Sequence, residues 1–529
     1  MNTARVLFHL ALADFYERTR RYSFLLTLAA VILMGVLVNN GTLSLTLSPG
    51  DHNPVSASYR GELNSAWIGA MTVEIIGYFL GLFGFYLVGG CIQRDIRTGV
   101  GQIIATTPIS RAAYLVGKWI SNCMVLFLLV LVLAVAAIIM ALLQSKTALD
   151  LGALLMPFLV IALPDMTLIA ALAVLFESVP WSRGVVGNVL YFFLWLFGLM
   201  AVIYIWGQVF PFLPDPLGIN IFTASFDKAV GVAFPGESIG GMGVGGFTGL
   251  VKIFHWSGLA WTPGTIAGQW VWVIGGLGMV LVAALWFARF DPSRERHGRR
   301  RATIAKADNG EPAEPRKKAP RIQLPSLSPL ISRLAGMNPF LGVLLAELRL
   351  LLKGRRWWWW LITAGLNIAI FLVPYEIARQ YVLPIAWLWP IVIWSGMGNR
   401  ERSHNTAQMV FSSSRPVLRQ LPASWLAGVL ATALLEIAGL VFFLSNGDLP
   451  GLAGWVGAVI FVPTLALALG VFSSGSRFFE VAYVIWWYVG PLQKIPGMDF
   501  TSGAPLVYLL AAVGLLLLSA LWRFRQVRV

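Results

Sequence analysis

The chain carries little charge for its size. Of 529 residues only 12% are Asp, Glu, Lys or Arg, while 57% are hydrophobic, and the mean hydropathy is +0.75. A soluble protein of this length needs far more charge on its surface, which excludes that class. Cysteine is nearly absent: Cys91 and Cys123 are the only two, and both fall in or beside apolar runs. No disulfide framework is implied. Five histidines (His9, His52, His255, His297 and His404) are scattered, and no HExxH, paired-cysteine metal site or nucleophile elbow occurs. No GxxxxGK[ST] is present either. The Gly-Lys pair of VGKW, 116–119, lacks the upstream glycine and the Ser/Thr of a phosphate-binding loop. The chain is therefore not expected to be an enzyme, to hold a metal or to carry a cofactor of its own.

What the chain has is apolar length. Spanning a bilayer as helix takes roughly 20 apolar residues, and the sequence offers about a dozen such runs. In the first half they fall near 22–38, 67–90, 115–143, 153–176, 185–206 and 265–288. In the second they fall near 357–373, 381–398, 422–444, 453–474, 480–491 and 504–522. The pattern predicts an all-α polytopic membrane protein with about 12 transmembrane helices in two six-helix repeats, units 1–288 and 337–529. Residues 289–336 between them are rich in charge and proline and read as a basic, weakly structured cytoplasmic linker. Each half opens on an amphipathic stretch expected to lie at the membrane interface. The first sets Val6, Leu7, Leu10 and Ala13 among His9, Asp14, Glu17 and Arg18; the second spaces Leu341, Leu344, Leu345, Leu348 and Leu352 helically. Trp357–Trp360 read as an interfacial aromatic belt. Residues 39–66 and 207–264 read as loops, the latter with the glycine-rich run GGMGVGG at 240–246.

The net charge of +15 raises the question of nucleic acid, but the placement of the charges argues against it. Basic residues of membrane proteins collect on the cytoplasmic side. With both termini, the linker, the 91–118 and 399–421 segments and the short turns after the fourth spans inside, 33 of 39 Lys and Arg are cytoplasmic. Arg60, Lys146, Lys228, Lys252, Arg379 and Lys494 remain outside. The expected setting is the cytoplasmic (inner) membrane, multi-pass, with both termini in the cytoplasm and the lipid bilayer as a partner.

The polar segment from Cys91 to Trp119 returns 306 positions later without a gap. Arg94 falls on Arg400, Asp95 on Glu401, Gln102 on Gln408, Leu115 on Leu421 and Trp119 on Trp425. LFESVPWSR, ending at Arg183, is echoed by VFSSGSR, ending at Arg477, and AALWFARF, ending at Phe290, by SALWRFRQ, ending at Gln526. The order R-D-I-R-T-G, A-T-T-P-I-S-R, Y-L-V-G-K-W resembles the loop between the second and third spans of type-2 ABC exporter permeases. Arg94, Asp95, Thr98, Gly99, Thr107, Pro108, Ser110, Arg111, Gly117 and Lys118 occupy the places of that family's motif. The resemblance implies a coupling helix that docks in a groove of a separate ABC ATPase subunit, two copies for a fused chain, with ATP and Mg on that subunit. The implied coupling residues are Arg94, Asp95, Thr98, Gly99, Pro108, Arg111, Arg400 and Glu401, and the charges at the tip are expected to be exposed. In the second copy Asn405 stands for Gly99, Ser414 for Pro108 and Ser424 for Lys118, which points to unequal docking.

Three carboxylates, Glu74, Asp165 and Glu436, lie within apolar runs. A charge at mid-membrane costs a few kcal/mol on insertion scales, so such groups either sit near a span end, satisfied by backbone, or line a transport path. Asp165 follows Pro164, whose missing N–H leaves a carbonyl free. Glu74 has the polar Gln380 at its repeat position. A secondary transporter of the major facilitator type is the rival reading, with the same span number and a central linker. That family expects Asp before Arg and a basic pair after the glycine; here Arg94 precedes Asp95, and Val100 and Gly101 follow Gly99.

Overall fold

The computed structural model describes residues 3–20, 22–39, 41, 43–50, 57–145, 147–180, 182–210, 212–245, 250–287, 290, 338–353, 355, 357–403, 406–412, 416–473, 475–494, 497–501 and 505–528. The predicted linker lies outside them apart from Phe290. The chain divides into two compact units, Met1–Ala305 and Lys306–Val529. Among the described residues nine helices are long and apolar enough to cross a membrane, and Thr27–Val38 and Trp357–Leu372 are shorter apolar helices. This is a helical, multi-pass membrane protein.

The first unit opens with α1 (Thr3–Thr19) and α2 (Tyr22–Asn39), which precede strands β1 (Ser44–Pro49) and β2 (Ser58–Gly61). Helix α3 (Ser65–Val88) starts where the Asn64 side chain accepts the Trp67 N–H at 2.8 Å. After it come α4 (Cys91–Thr98), α5 (Val100–Thr106) and the long α6 (Arg111–Gln144), capped by Ser110, which accepts the Ala113 N–H at 3.1 Å. Helices α7 (Leu151–Pro157) and α8 (Leu163–Ser178) form one span around a π-turn at Phe158–Ala162. Pro157 and Pro164 bracket that turn, each removing a backbone donor. Then follow α9 (Val185–Tyr204), α10 (Trp206–Val209), α11 (Ile219–Ala233), β3 (Ile239–Gly245), β4 (Val251–Phe254) and α12 (Pro263–Trp286). Helix α1 packs on α6, and α12 packs on α8.

The two segments read as loops build a four-stranded sheet in the order β3-β1-β2-β4, so the unit is not helical throughout. β1 runs antiparallel to both β2 and β3, and β2 is parallel to β4. The described part of the glycine-rich run, residues 240–245, lies in strand β3 and is not mere connection. Its lack of side chains hid it from a reading that depends on β-branched and aromatic residues, yet it is what lets the strands close up: a Cβ on Gly240 would lie 2.6 Å from the Pro49 carbonyl oxygen. Trp67 at the head of α3 is fully buried beneath the sheet, with the rings of Phe226, Phe254 and Trp256 at 5.1, 5.7 and 6.5 Å. The sheet is thereby fixed to the helical part through α3 and α11.

The second unit begins at α13 (Pro339–Leu352) and α14 (Trp357–Leu372). A broken span follows, of α15 (Tyr375–Ile377), a π-turn at Ala378–Val382, α16 (Leu383–Leu388) and α17 (Ile391–Trp394). Short helices α18 (Arg400–Ser403) and α19 (Ala407–Phe411) precede α20 (Pro416–Leu435), α21 (Ile437–Ser445), α22 (Leu449–Ser473), α23 (Arg477–Trp487) and α24 (Pro505–Arg528). Helix α13 packs on α20, and α24 packs on α22. Of the four tryptophans read as a belt, Trp357 and Trp358 are exposed, but Trp359 is buried and stacks on Trp389 at 5.9 Å. One member of that row therefore packs a helix pair.

Candidate functional site

Two left-handed glycines shape the segment on which the sequence argument rests. Gly90 (φ 82°) ends α3 and Gly99 (φ 78°) separates α4 from α5. Nothing stands within 4 Å of where a Gly99 Cβ would be, so the glycine is needed for its backbone angle and not for space. The result is a short helical hairpin between the long α3 and α6. Its α4 N-terminus is held by Glu177 of α8: Oε1 accepts the Cys91 N–H at 3.0 Å and Oε2 the Ile92 N–H at 2.7 Å. A carboxylate there meets both the free backbone donors and the positive end of the helix dipole. Glu177 lies within the echoed LFESVPWSR run, which was the one sequence signal pointing to it.

Arg94 and Asp95 of the hairpin are turned inward, which corrects the expectation that they are exposed. Asp95 is 4% exposed and Lys118 3%. Lys118 Nζ reaches Asp95 Oδ2 at 2.8 Å and Asp14 Oδ1 at 2.9 Å. Tyr114 donates to Asp95 Oδ2 at 2.7 Å, Ser121 donates to Asp14 Oδ2 at 2.8 Å, and Arg94 forms an ion pair with Asp14. Arg18 pairs with Asp14 Oδ2 at 2.7 Å and donates to Asn122 Oδ1 at 2.7 Å. Burial alone would raise the Asp14 carboxyl, but Arg18, Lys118 and Arg94 outweigh it and hold it well below the usual carboxylate range. Helix α1 is thus no simple amphipathic surface helix: Asp14 and Arg18 are buried while Ala13 is exposed. Buried charges are retained only when paired in this way. The network binds α1, α4 and α6 into one rigid corner.

The exposed face of the hairpin carries apolar side chains among the polar Thr98, Gln102 and Thr106. Ile96, Val100 and Ile103 are exposed, Ile103 at 67%. Thr98 is exposed and donates to the Arg94 carbonyl at 3.1 Å. Pro108 is exposed in the extended exit to α6, and Arg111, half-buried, opens that helix.

The second unit builds a related corner with fewer charges. Arg400 Nη1 lies 3.5 Å from Glu347 Oε2 of α13, as Arg94 pairs with Asp14 of α1. Gln420 Nε2 donates to Glu401 Oε1 at 2.6 Å, at the repeat position of Tyr114, which donates to Asp95. Ser424, at the repeat position of Lys118, hydrogen-bonds Glu347. A cation absent from the first corner takes over: Arg523 of α24 pairs with Glu401 Oε2 at 3.1 Å and donates to the Gly398 carbonyl at 2.8 Å. Burial pushes the Glu347 carboxyl up, and Arg400 with the Ser424 and Gln420 hydrogen bonds offsets only part of that. Met409, at the repeat position of Ile103, is 74% exposed. Asn405 and Ser414 lie outside the described residues.

Glu74 and Asp165 are buried within the first unit and Glu436 within the second. Glu436 stands at the break between α20 and α21, where its carbonyl accepts the Trp455 indole N–H at 3.0 Å. Gln380, matched with Glu74 in sequence, is exposed, so the two positions do not share an environment. Among the described residues no cluster of His, Cys, Asp and Glu could hold a metal ion. Comparison with protein-family models and with curated proteins finds no match.

Proposed function

We propose that the chain is the transmembrane subunit of an ATP-driven, export-type ABC transporter, two six-helix units in one polypeptide, powered by a separate ATPase subunit. The observation that carries this reading is the α4–α5 hairpin: a short element braced by buried ion pairs and presenting Ile96, Val100 and Ile103 to solvent. A membrane subunit without a phosphate-binding loop must receive work from outside, and a braced protrusion transmits displacement where a flexible loop would absorb it. Apolar side chains at its tip supply docking energy in a groove, while the charges behind them hold its shape. This reading places the α4–α5 and α18–α19 ends in the cytoplasm, the sheet outside and ATP with Mg on the partner. The paired packings, α1 on α6 with α12 on α8 and α13 on α20 with α24 on α22, support the repeat. Export is carried by the sequence resemblance.

The test is ATP hydrolysis. The purified chain alone is expected to hydrolyse none, and co-expression with an ABC ATPase encoded in an adjacent reading frame is expected to give a co-purifying, hydrolysing complex. Hydrolysis by the chain alone, or no association with any such ATPase, contradicts the reading.

A further inference from the structure

The interior of the first unit holds a group of oxygen acceptors that lack hydrogens. Glu74 of α3, Asp165 of α8 and Gln269 of α12 are 1%, 4% and 0% exposed. Glu74 Oε1, Asp165 Oδ2 and Gln269 Oε1 are fully buried without a hydrogen-bond partner among the described residues. Asp165 and Asp215 act electrostatically on Glu74, and Asp215 acts on Asp165. Gln269 joins the group by donating to the Asp215 carbonyl at 3.1 Å.

The segment carrying Asp215 closes the group off. Trp206 donates to the Leu213 carbonyl at 2.9 Å and Trp272 to the Pro214 carbonyl at 3.1 Å. Leu217 packs at Gly77 of α3 and Gly218 at Ile161 of the π-turn. Asp215 itself has its donors: it accepts the Ile219 N–H at 2.9 Å and the Asn220 N–H at 3.0 Å as the cap of α11. Burial raises its carboxyl, and those backbone donors pull it part of the way back. The nearby phenols spend their hydrogens elsewhere, Tyr78 on the Met242 carbonyl at 3.4 Å and Tyr191 on the Gly81 carbonyl. Tyr78 is the other titratable group on α3 close to Glu74, and Tyr191 of α9 faces Asp165. No Lys, Arg or His stands among the electrostatic neighbours of Glu74 and Asp165 in the described residues.

Two buried carboxylates with no cation among the described residues each leave one oxygen short of a hydrogen-bond donor, and a carboxylic acid O–H is the smallest donor that fits. We propose that Glu74 and Asp165 form a proton-binding site within the membrane part of the first unit, with at least one of them held as the neutral acid at neutral pH. Binding is a simple equilibrium in which a carboxylate takes a proton from hydronium and releases water. The inference stands apart from the transporter reading and does not require it.

The test uses the purified full chain at neutral pH. Dicyclohexylcarbodiimide adds to protonated carboxyls in apolar surroundings, and peptide mapping by mass spectrometry is expected to find its adduct on Glu74 or Asp165. Infrared difference spectra are expected to show a protonated-carboxyl C=O stretch lost in Glu74→Gln or Asp165→Asn. Because each amide mimics the neutral acid, at least one of these variants is expected to keep the wild-type unfolding temperature. The proposal is overturned if neither residue is labelled and no such band is lost, or if both variants fail to fold, since charged carboxylates would then be required. An unfolding temperature that rises when sodium replaces choline in the buffer, with no adduct, also overturns it in favour of a metal cation.

Discussion

Replacing Asp14 by alanine is expected to destabilise the first unit by about 3–5 kcal/mol, the usual result of removing one partner from a buried ionic cluster. Asp14 is the anion on which Arg18, Arg94 and Lys118 converge. Without it Lys118 keeps Asp95, Arg94 keeps Asp95 and the half-exposed Glu17, and Arg18 keeps its neutral acceptors Asn122 Oδ1 and the Val88 carbonyl. Thermal unfolding in detergent, followed by tryptophan fluorescence, measures the loss. Glu17→Ala serves as the control, since an exposed pair contributes about 0–1 kcal/mol. The pH dependence has a definite sign. A carboxyl held below its ordinary value stabilises the fold above that value and loses its contribution as pH falls toward the folded-state value. Wild-type stability in this region is therefore expected to persist through mild acid and to fail only below the ordinary carboxylate range, near pH 4. An Asp14→Ala chain within about 0.5 kcal/mol of wild type would mean that the cluster does not brace the hairpin.

Ile103→Asp is expected to act on the partner instead of the fold. The side chain is 67% exposed, so the chain's own unfolding temperature is expected to be unchanged. Burying a carboxylate in an apolar groove removes a docking anchor of the kind worth about 2 kcal/mol, which is roughly a 30-fold loss in ATPase affinity. Binding is read by titrating ATPase onto the immobilised chain, and coupling by hydrolysis in the same complex. Met409→Asp is expected to do less, because the interfacial carboxylate of the second corner, Glu347, is paired with Arg400 where Asp14 is paired with three cations, and because the corner departs from the motif at Ser424. Equal losses would show that both hairpins dock alike. A normal affinity for Ile103→Asp would remove the hairpin from the docking surface.

The contrast between these two substitutions also marks what a sequence can and cannot disclose. The apolar helices were legible because each span carries its own hydrophobicity, and the 306-residue echo put Arg94 over Arg400 and Asp95 over Glu401 directly. The direction in which those charges face was not. Their partners lie in α1 and α6, with Asp14 separated from Lys118 by 104 residues, and a motif taken alone reads charge as surface. The Asp14–Arg18 spacing of one helical turn was the available clue. The sheet was hidden for the opposite reason. Its third strand is mostly glycine, and strand signals come from side chains that this strand lacks. Glu177 was invisible as a cap because its partners are the backbone N–H groups of Cys91 and Ile92, 86 and 85 residues away.

The central claim is that one chain supplies both docking elements to a separate ATPase, and the native mass of the co-purified complex tests it most directly. The account predicts a single copy of this 57.9 kDa chain with two copies of the ATPase. A complex holding two copies of this chain for two ATPases, or a chain that carries no ATPase at all, would contradict it.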